Sequence, residues 1–468
     1  MKIKSKVIFS IFFTLMAFTF SVHAQTNKGG IDADMLKAIK QSYKETPETK
    51  ALQNAIIGND INKLAQNRSN TNNDTYFSNR VNSKGITDQK SSGRCWLFTG
   101  MNVLRAKVIA KHHLGEFQFS LNYSFFWDQL EKSNLFLQAI IDTRSKPVDD
   151  KTVEWLFKNP IGDGGQFTGV LNLVTKYGAV PQDIMPETNS SNNTSRMTYL
   201  LSLKLKEFGL QLREMGGKNA KNEDLLKKKI EMLGVIYRIL VLNLGEPPAE
   251  FTWTQKDASG KPVATKKYSP LSFYNEFVDV DMSNYIMLMN DPTRDYNKVY
   301  EIEYDRHVYD GHNWKYLNLS IDDIKQMAIA SIKDSTMMYF SCDVGKFLNR
   351  ETGFLDINNY DYASLMGTTF NMDKKQRIQT FASGSSHAMT LCAVDLDENN
   401  KPKKWMVENS WGASYGHKGF LIMTDEWFNE YMFRLVVDKK YIPENIQKLL
   451  EQKPVLLPPW DPMFAAEE

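Results

Sequence analysis

The run Gln89-Lys90-Ser91-Ser92-Gly93-Arg94-Cys95-Trp96 joins a thiol to the residues that would prepare it as a nucleophile. Sulfur attacks as the thiolate, so it needs surroundings that favour the anion. Beyond Cys95, the residues Leu97, Met101, Leu104 and Val108 recur at spacings of four and three, which predicts an amphipathic helix beginning near the cysteine. The sulfur then lies at the positive end of the helix dipole. Gly93 lets the backbone approach a substrate closely. Gln89 offers an amide N–H to a developing oxyanion, beside the backbone N–H of Cys95. A cysteine at a helix start is more often structural; the whole run is what singles this one out.

Its chemical partners lie far downstream. Ser385-Ser386-His387-Ala388-Met389 leads into the apolar run from Thr390 to Val394, which places His387 at the start of a buried strand. Asn409 follows in Glu408-Asn409-Ser410-Trp411-Gly412. The order Gln, Cys, His, Asn-Ser-Trp-Gly resembles the papain superfamily at all four stations. In the roles this implies, His387 takes the thiol proton and later donates one to the leaving amine. Asn409 holds the far ring nitrogen of His387 and fixes its tautomer. Trp411 shields that bond from water. The rival of another class is a non-catalytic peptide-binding protein that keeps the motif.

The departures from papain are informative. Papain-like enzymes carry a Cys three residues before the nucleophile, with the His about 130–150 residues downstream. Here Ser92 occupies the first position, and Gly162 stands where the usual disulfide partner would precede Gly164-Gly165. Both halves of that bridge are absent together. The glycine backbone should still line the cleft and pair with substrate main chain, since no Cβ blocks it. His387 lies 292 residues after Cys95, so a large insertion separates them.

The Ser-Ser-Gly-Arg-Cys-Trp-Leu-Phe run, Asn122-Tyr123-Ser124-Phe125-Phe126-Trp127 and the chain end Leu457-Pro458-Pro459-Trp460-Asp461-Pro462-Met463 resemble the bleomycin hydrolase and aminopeptidase C branch. The resemblance runs from about Phe77 to the C-terminus. It implies a cysteine aminopeptidase acting on peptides, with no metal or organic cofactor, assembled as a ring of six subunits. It also implies a C-terminal tail lying in the cleft, where the terminal carboxylate, on Glu468, captures the amino group of the substrate. Gly164, Gly165, Trp411 and Glu468 are therefore the expected substrate-binding residues. A tail that leaves the cleft would instead make an endopeptidase or a broader end-trimmer.

Lys2, Lys4 and Lys6, the apolar stretch from Val7 to Val22, and Val22-His23-Ala24 before Gln25 read as a secretory signal peptide over residues 1–24. The rival is a retained anchor, which the short apolar core disfavours. The expected location is a periplasm or the exterior, with no membrane attachment after cleavage. Without those three lysines, 54 Lys and Arg face 55 Asp and Glu, a balance that argues against a general nucleic-acid-binding surface. Cys342 and Cys392 sit in apolar runs and read as buried free thiols.

The expected fold class is α+β, papain-like, with a helical half, a β-barrel half and a large helical insertion. The divisions are a signal peptide at 1–24, an arm and Asn-rich linker at 25–76, and the helical half with the nucleophile at 77–188. The insertion follows at 189–329, the β-barrel half with His387 and Asn409 at 330–445, and the tail at 446–468. Within the insertion, Leu200 to Met215 and Leu225 to Leu244 read as helices and Phe251 to Tyr268 as a hairpin. The lysines at 218–229 interleave with Glu223 and Asp224 and read as a solvated helix face. His307 and His312, with Asp305 and Asp310, show no spacing that sets a metal site.

Overall fold

The computed structural model describes residues 29–71, 73–82 and 84–463, so the expected signal peptide and Glu468 lie outside the described residues. The chain divides into two units, residues 1–64 and 65–468. In the first, Asp32 caps the helix Ala33–Ser42 by accepting the Met35 N–H. Thr46 and Thr49 form a reciprocal capping box at the helix Pro47–Gly58, with Pro47 in the first turn, where its missing N–H is harmless.

The Asn-rich stretch expected as a linker is instead pinned to the larger unit. Asn67 N–H donates to the Asn359 carbonyl (2.9 Å), and Asn70 Nδ2 donates to Asp356 and Asn359. Amide side chains supply both donors and acceptors, so a polar segment can be fastened where an apolar one would need a core.

The larger unit is the α+β fold expected, and its central element is the helix Cys95–His112. The four-and-three face does pack inward, but Trp96, Phe98, Val103 and Arg105 are buried as well. The helix is thus buried nearly all round and not amphipathic, because helices cover one side and the sheet the other. Gly100 permits the closest approach: a Cβ there would lie 2.6 Å from Val170 on the helix Phe167–Tyr177.

The two insertion helices run Ser195–Gly217 and Asn222–Leu244, and they bury the stripes Met197, Leu201, Leu205, Leu212 and Leu225, Met232, Ile236, Leu240. The hairpin pairs Phe251–Lys256 with Pro262–Tyr268. The insertion is shorter than the sequence suggests. Tyr285–Met289, Lys298–Ile302 and Lys315–Asn318 are strands of the main sheet, not parts of an inserted lobe. Among the described residues that sheet holds 12 strands and forms the β half of the papain-like fold expected. At its centre, Met338–Cys342 lies between His387–Leu396 and Met432–Asp438, all antiparallel and almost wholly buried. Such near-continuous apolar runs follow from burial on both faces.

Candidate active site

Cys95 opens its helix directly after Arg94, whose side chain makes no cap bond. That leaves the helix start turned to a cleft of about 640 Å³, lined by Gln89, Cys95, Gly164, Gly165, His387 and Met463 among others. An uncapped helix start presents N–H groups and the positive end of the dipole, which favour a thiolate. The loop before it is held from several sides. Gly93 N–H donates to Asp163 Oδ2 (2.6 Å), and the Thr194 hydroxyl joins the same oxygen. Arg94 is fully buried, spans both Glu187 oxygens (2.8 and 3.3 Å) and lies over the rings of Phe98 and Phe125. Ser92, in place of a disulfide cysteine, gives its hydroxyl to the Gln89 carbonyl (2.6 Å) and accepts from Arg94 Nε (3.1 Å).

The amide of Gln89 is oriented from both ends. Its Oε1 accepts from the Ser410 hydroxyl (2.6 Å), and its Nε2 donates to the Ser92 carbonyl (2.6 Å). One amide proton of Nε2 is left for the cleft.

His387 begins the strand His387–Leu396, and Asn409 directly follows the strand Pro402–Glu408, two neighbours in the sheet. Asn409 Oδ1 accepts from His387 Nε2 at 2.8 Å and from the Ser410 N–H at 2.8 Å. An oxygen acceptor requires the proton on Nε2, so Nδ1 carries the lone pair. Burial lowers the imidazole to about 4, against the upward pull of the Asn409 bond. Trp411 stacks on the imidazole with ring centres 4.7 Å apart, and Tyr415 meets Trp411 edge-on. Trp411 thus lies half-buried over the imidazole that bonds Asn409.

Both wall glycines line the cleft, for different reasons. A Cβ on Gly164 would meet nothing, whereas one on Gly165 would sit 2.2 Å from His307 and 2.8 Å from Trp96. Only glycine fits at 165 without displacing buried rings. The carbonyls of Gly162 and Gly164 accept from Lys132 Nζ (3.1 and 2.6 Å), which also pairs with buried Asp128 (2.9 Å). Asp128 in turn holds His307 Nδ1 at 2.6 Å. Sequence reasoning missed Lys132, Asp128, Asp163, Ser410 and Arg434, since no local pattern marks contacts that span the fold. His307, considered for a metal, belongs to this wall; among the described residues no group of three or more His, Cys, Asp or Glu is placed to hold an ion.

The tail reaches the same cleft. Val455–Leu457 adds a parallel strand beside Lys298–Ile302. Asp461 then pairs with Arg294, and Arg434 Nη2 donates to the Met463 carbonyl (2.9 Å). Met463 is buried and lines the cavity, while Phe464 to Glu468 lie outside the described residues.

The peptidase C1-like family model matches residues 30–464. Bleomycin hydrolase from Mus musculus is 38% identical over 94% of this chain and 100% of its own length. Aminopeptidase C from Lactobacillus delbrueckii subsp. lactis is 36% identical over 93% and 98%. The crystal structure of PepW from Lactobacillus rhamnosis superposes with a TM-score of 0.90 at 36% identity, covering 94% of this chain and 99% of that one. The fold, the cleft and these relatives converge: the chain belongs to the peptidase C1-like family and is a papain-like, cysteine-type aminopeptidase.

Proposed function

We propose that the chain is an exported aminopeptidase that releases residues from the amino end of peptides through a Cys95 acyl-enzyme. The observation that carries this reading is the buried His387–Asn409 pair at a cleft whose other side is the Cys95 helix start. Cys95 gives its proton to Nδ1 of His387, and the thiolate attacks the first peptide carbonyl. The oxyanion is met by the Cys95 N–H and the remaining proton of Gln89 Nε2. His387 then protonates the departing amine, and a water deprotonated by the same nitrogen releases the acyl group. Asn409 keeps Nδ1 facing the sulfur throughout. Gly164 and Gly165 pair with substrate main chain.

The tail supports attack at the end of the chain. Met463, the last described residue, is fastened in the cleft by Arg434. The terminal carboxylate of Glu468 then serves as the partner of the substrate ammonium. The basic start, apolar core and Val22-His23-Ala24 support export. A homohexamer and the absence of a cofactor remain part of the reading by family resemblance.

Kinetics on matched peptides with free and N-acetylated amino ends test it. Wild type should strongly prefer the free amine, Cys95→Ala should be inactive, and deletion of residues 464–468 should weaken the preference and expose internal cleavage. A truncated enzyme with the same requirement for a free amine removes the tail as the gate. Activity in Cys95→Ala removes the nucleophile.

A further inference from the structure

One carboxylate of the cleft has no task in the reaction above. Asp305 lies just beyond the strand Lys298–Ile302 and lines the same cavity as Cys95, His387 and Met463. Its main chain is committed, its carbonyl accepting from Trp314 N–H at 2.7 Å. Its side chain is not: the carboxylate is half-buried in the cleft wall, and its inner oxygen, Oδ2, is shielded from solvent and takes no hydrogen bond from the described residues.

The other charged groups of the cavity are engaged elsewhere. Asp163 accepts from Gly93 and Thr194. Lys132 spends its protons on Asp128 and the carbonyls of Gly162 and Gly164. Arg434 donates to Gln166 Oε1 (2.7 Å) and the Met463 carbonyl, with its guanidinium 4.3 Å from the Trp314 ring centre. Lys132 and Arg434 therefore act on Asp305 only through space. A buried oxygen left without a donor is costly, on the order of 1–3 kcal/mol, and packing gives no reason to keep it.

We propose that Asp305 is a specificity-determining residue that receives a cationic group of the bound peptide, an ammonium or a guanidinium. The inference rests on the aminopeptidase reading above. Two parts of a substrate carry that chemistry: the α-ammonium of the first residue and the side chain of a basic one. A carboxylate in a low-dielectric wall recognises either more strongly than a solvated one does.

The site also has a pH signature. Burial pushes the Asp305 carboxyl up to about 6, with Arg434 and then Lys132 pulling it down. The charged and titratable groups around it are Arg434 and Tyr339 on neighbouring strands, Lys132 on the helix Leu121–Asp142, Arg306 and His307 in its own loop, and Cys95. Only the ionised form attracts a cation. KM for a cationic substrate should therefore rise as pH falls through about 6.

The test compares wild type with Asp305→Asn on arginyl, citrullinyl and alanyl aminocoumarin amides from weakly acidic to neutral pH. Citrulline keeps the shape of arginine without its charge. If Asp305 holds the side chain, the variant loses roughly tenfold or more of its preference for arginine over citrulline, and alanine is untouched. If it holds the α-ammonium, all three substrates lose that factor in kcat/KM and the KM step near 6 disappears. In both cases iodoacetamide should alkylate Cys95 at the wild-type rate. Values of kcat/KM within about twofold for all three substrates overturn the proposal, as does a uniform loss with slowed alkylation. A wild type that hydrolyses none of the three fails the peptidase reading instead.

Discussion

Among the described residues Arg105 and Glu408 form the one ion pair that fastens the Cys95 helix to the strand Pro402–Glu408, which leads into Asn409, and its removal is the sharpest structural test. Arg105 Nη2 lies 2.5 Å from Glu408 Oε1, with the side chains 2% and 0% exposed. The same nitrogen also reaches the Gly85 carbonyl (3.1 Å), but Arg105 Nε and Nη1 and Glu408 Oε2 bond nothing in the protein. The pair is therefore buried yet incompletely satisfied. Glu408→Leu leaves a guanidinium in the core with one carbonyl for company, which costs about 3–5 kcal/mol. Spread over roughly 400 residues at about 2.1 cal/mol/K each, that loss lowers the melting temperature by about 4–6 °C. Arg105→Met together with Glu408→Leu removes both charges and should return stability to within about 1 kcal/mol of wild type. Thermal unfolding at one scan rate, in low and high salt, reads the effect. A buried pair is barely screened, so the loss should be the same in both. If Glu408→Leu alone unfolds with wild type, or the double variant is no better than the single, the pair does not join the two halves as argued.

In Cys95→Ala, which has no thiolate to hold a proton on the imidazole, NMR should find His387 titrating near 4. Its folded pKa lies below the unfolded value, so the unfolded chain binds more protons between the two. The variant should then lose stability as pH falls from about 6.5 to about 4, by roughly 3 kcal/mol in total; a titration near 6.5 refutes the burial argument. Gln89→Ala should lower kcat by roughly a hundredfold or more with little change in KM, the scale for one oxyanion donor; an unchanged kcat removes Gln89 from the mechanism. Among the described residues Cys95, Cys342 and Cys392 form no disulfide, so dithiothreitol should raise activity by protecting Cys95 and leave the melting temperature unchanged. A fall under reductant shows a disulfide between Cys342 and Cys392.

The residues Gln89, Cys95, His387 and Asn409, which the fold brings to one cleft, stand out in the sequence because each sits in a local run whose residue types suit one chemistry. The helix at Cys95, the strand at His387, the paired insertion helices and the hairpin follow from periodicity and turn residues in the same local way. What sequence alone could not supply depends on contacts between distant segments. The Cys95 helix reads as amphipathic because one apolar stripe is obvious, but packing between two layers buried its other residues too. Residues 285–318 read as part of an insertion because strand pairing is non-local, and only the sheet shows that they extend it. The support around the nucleophile has the same character. Asp163 beneath Gly93, Lys132 behind Gly162 and Gly164, Ser410 against Gln89 and Arg434 at Met463 are separated from their partners by tens to hundreds of residues. Those polar partners have meaning only once burial leaves a donor or acceptor to satisfy, and burial is a property of the folded chain.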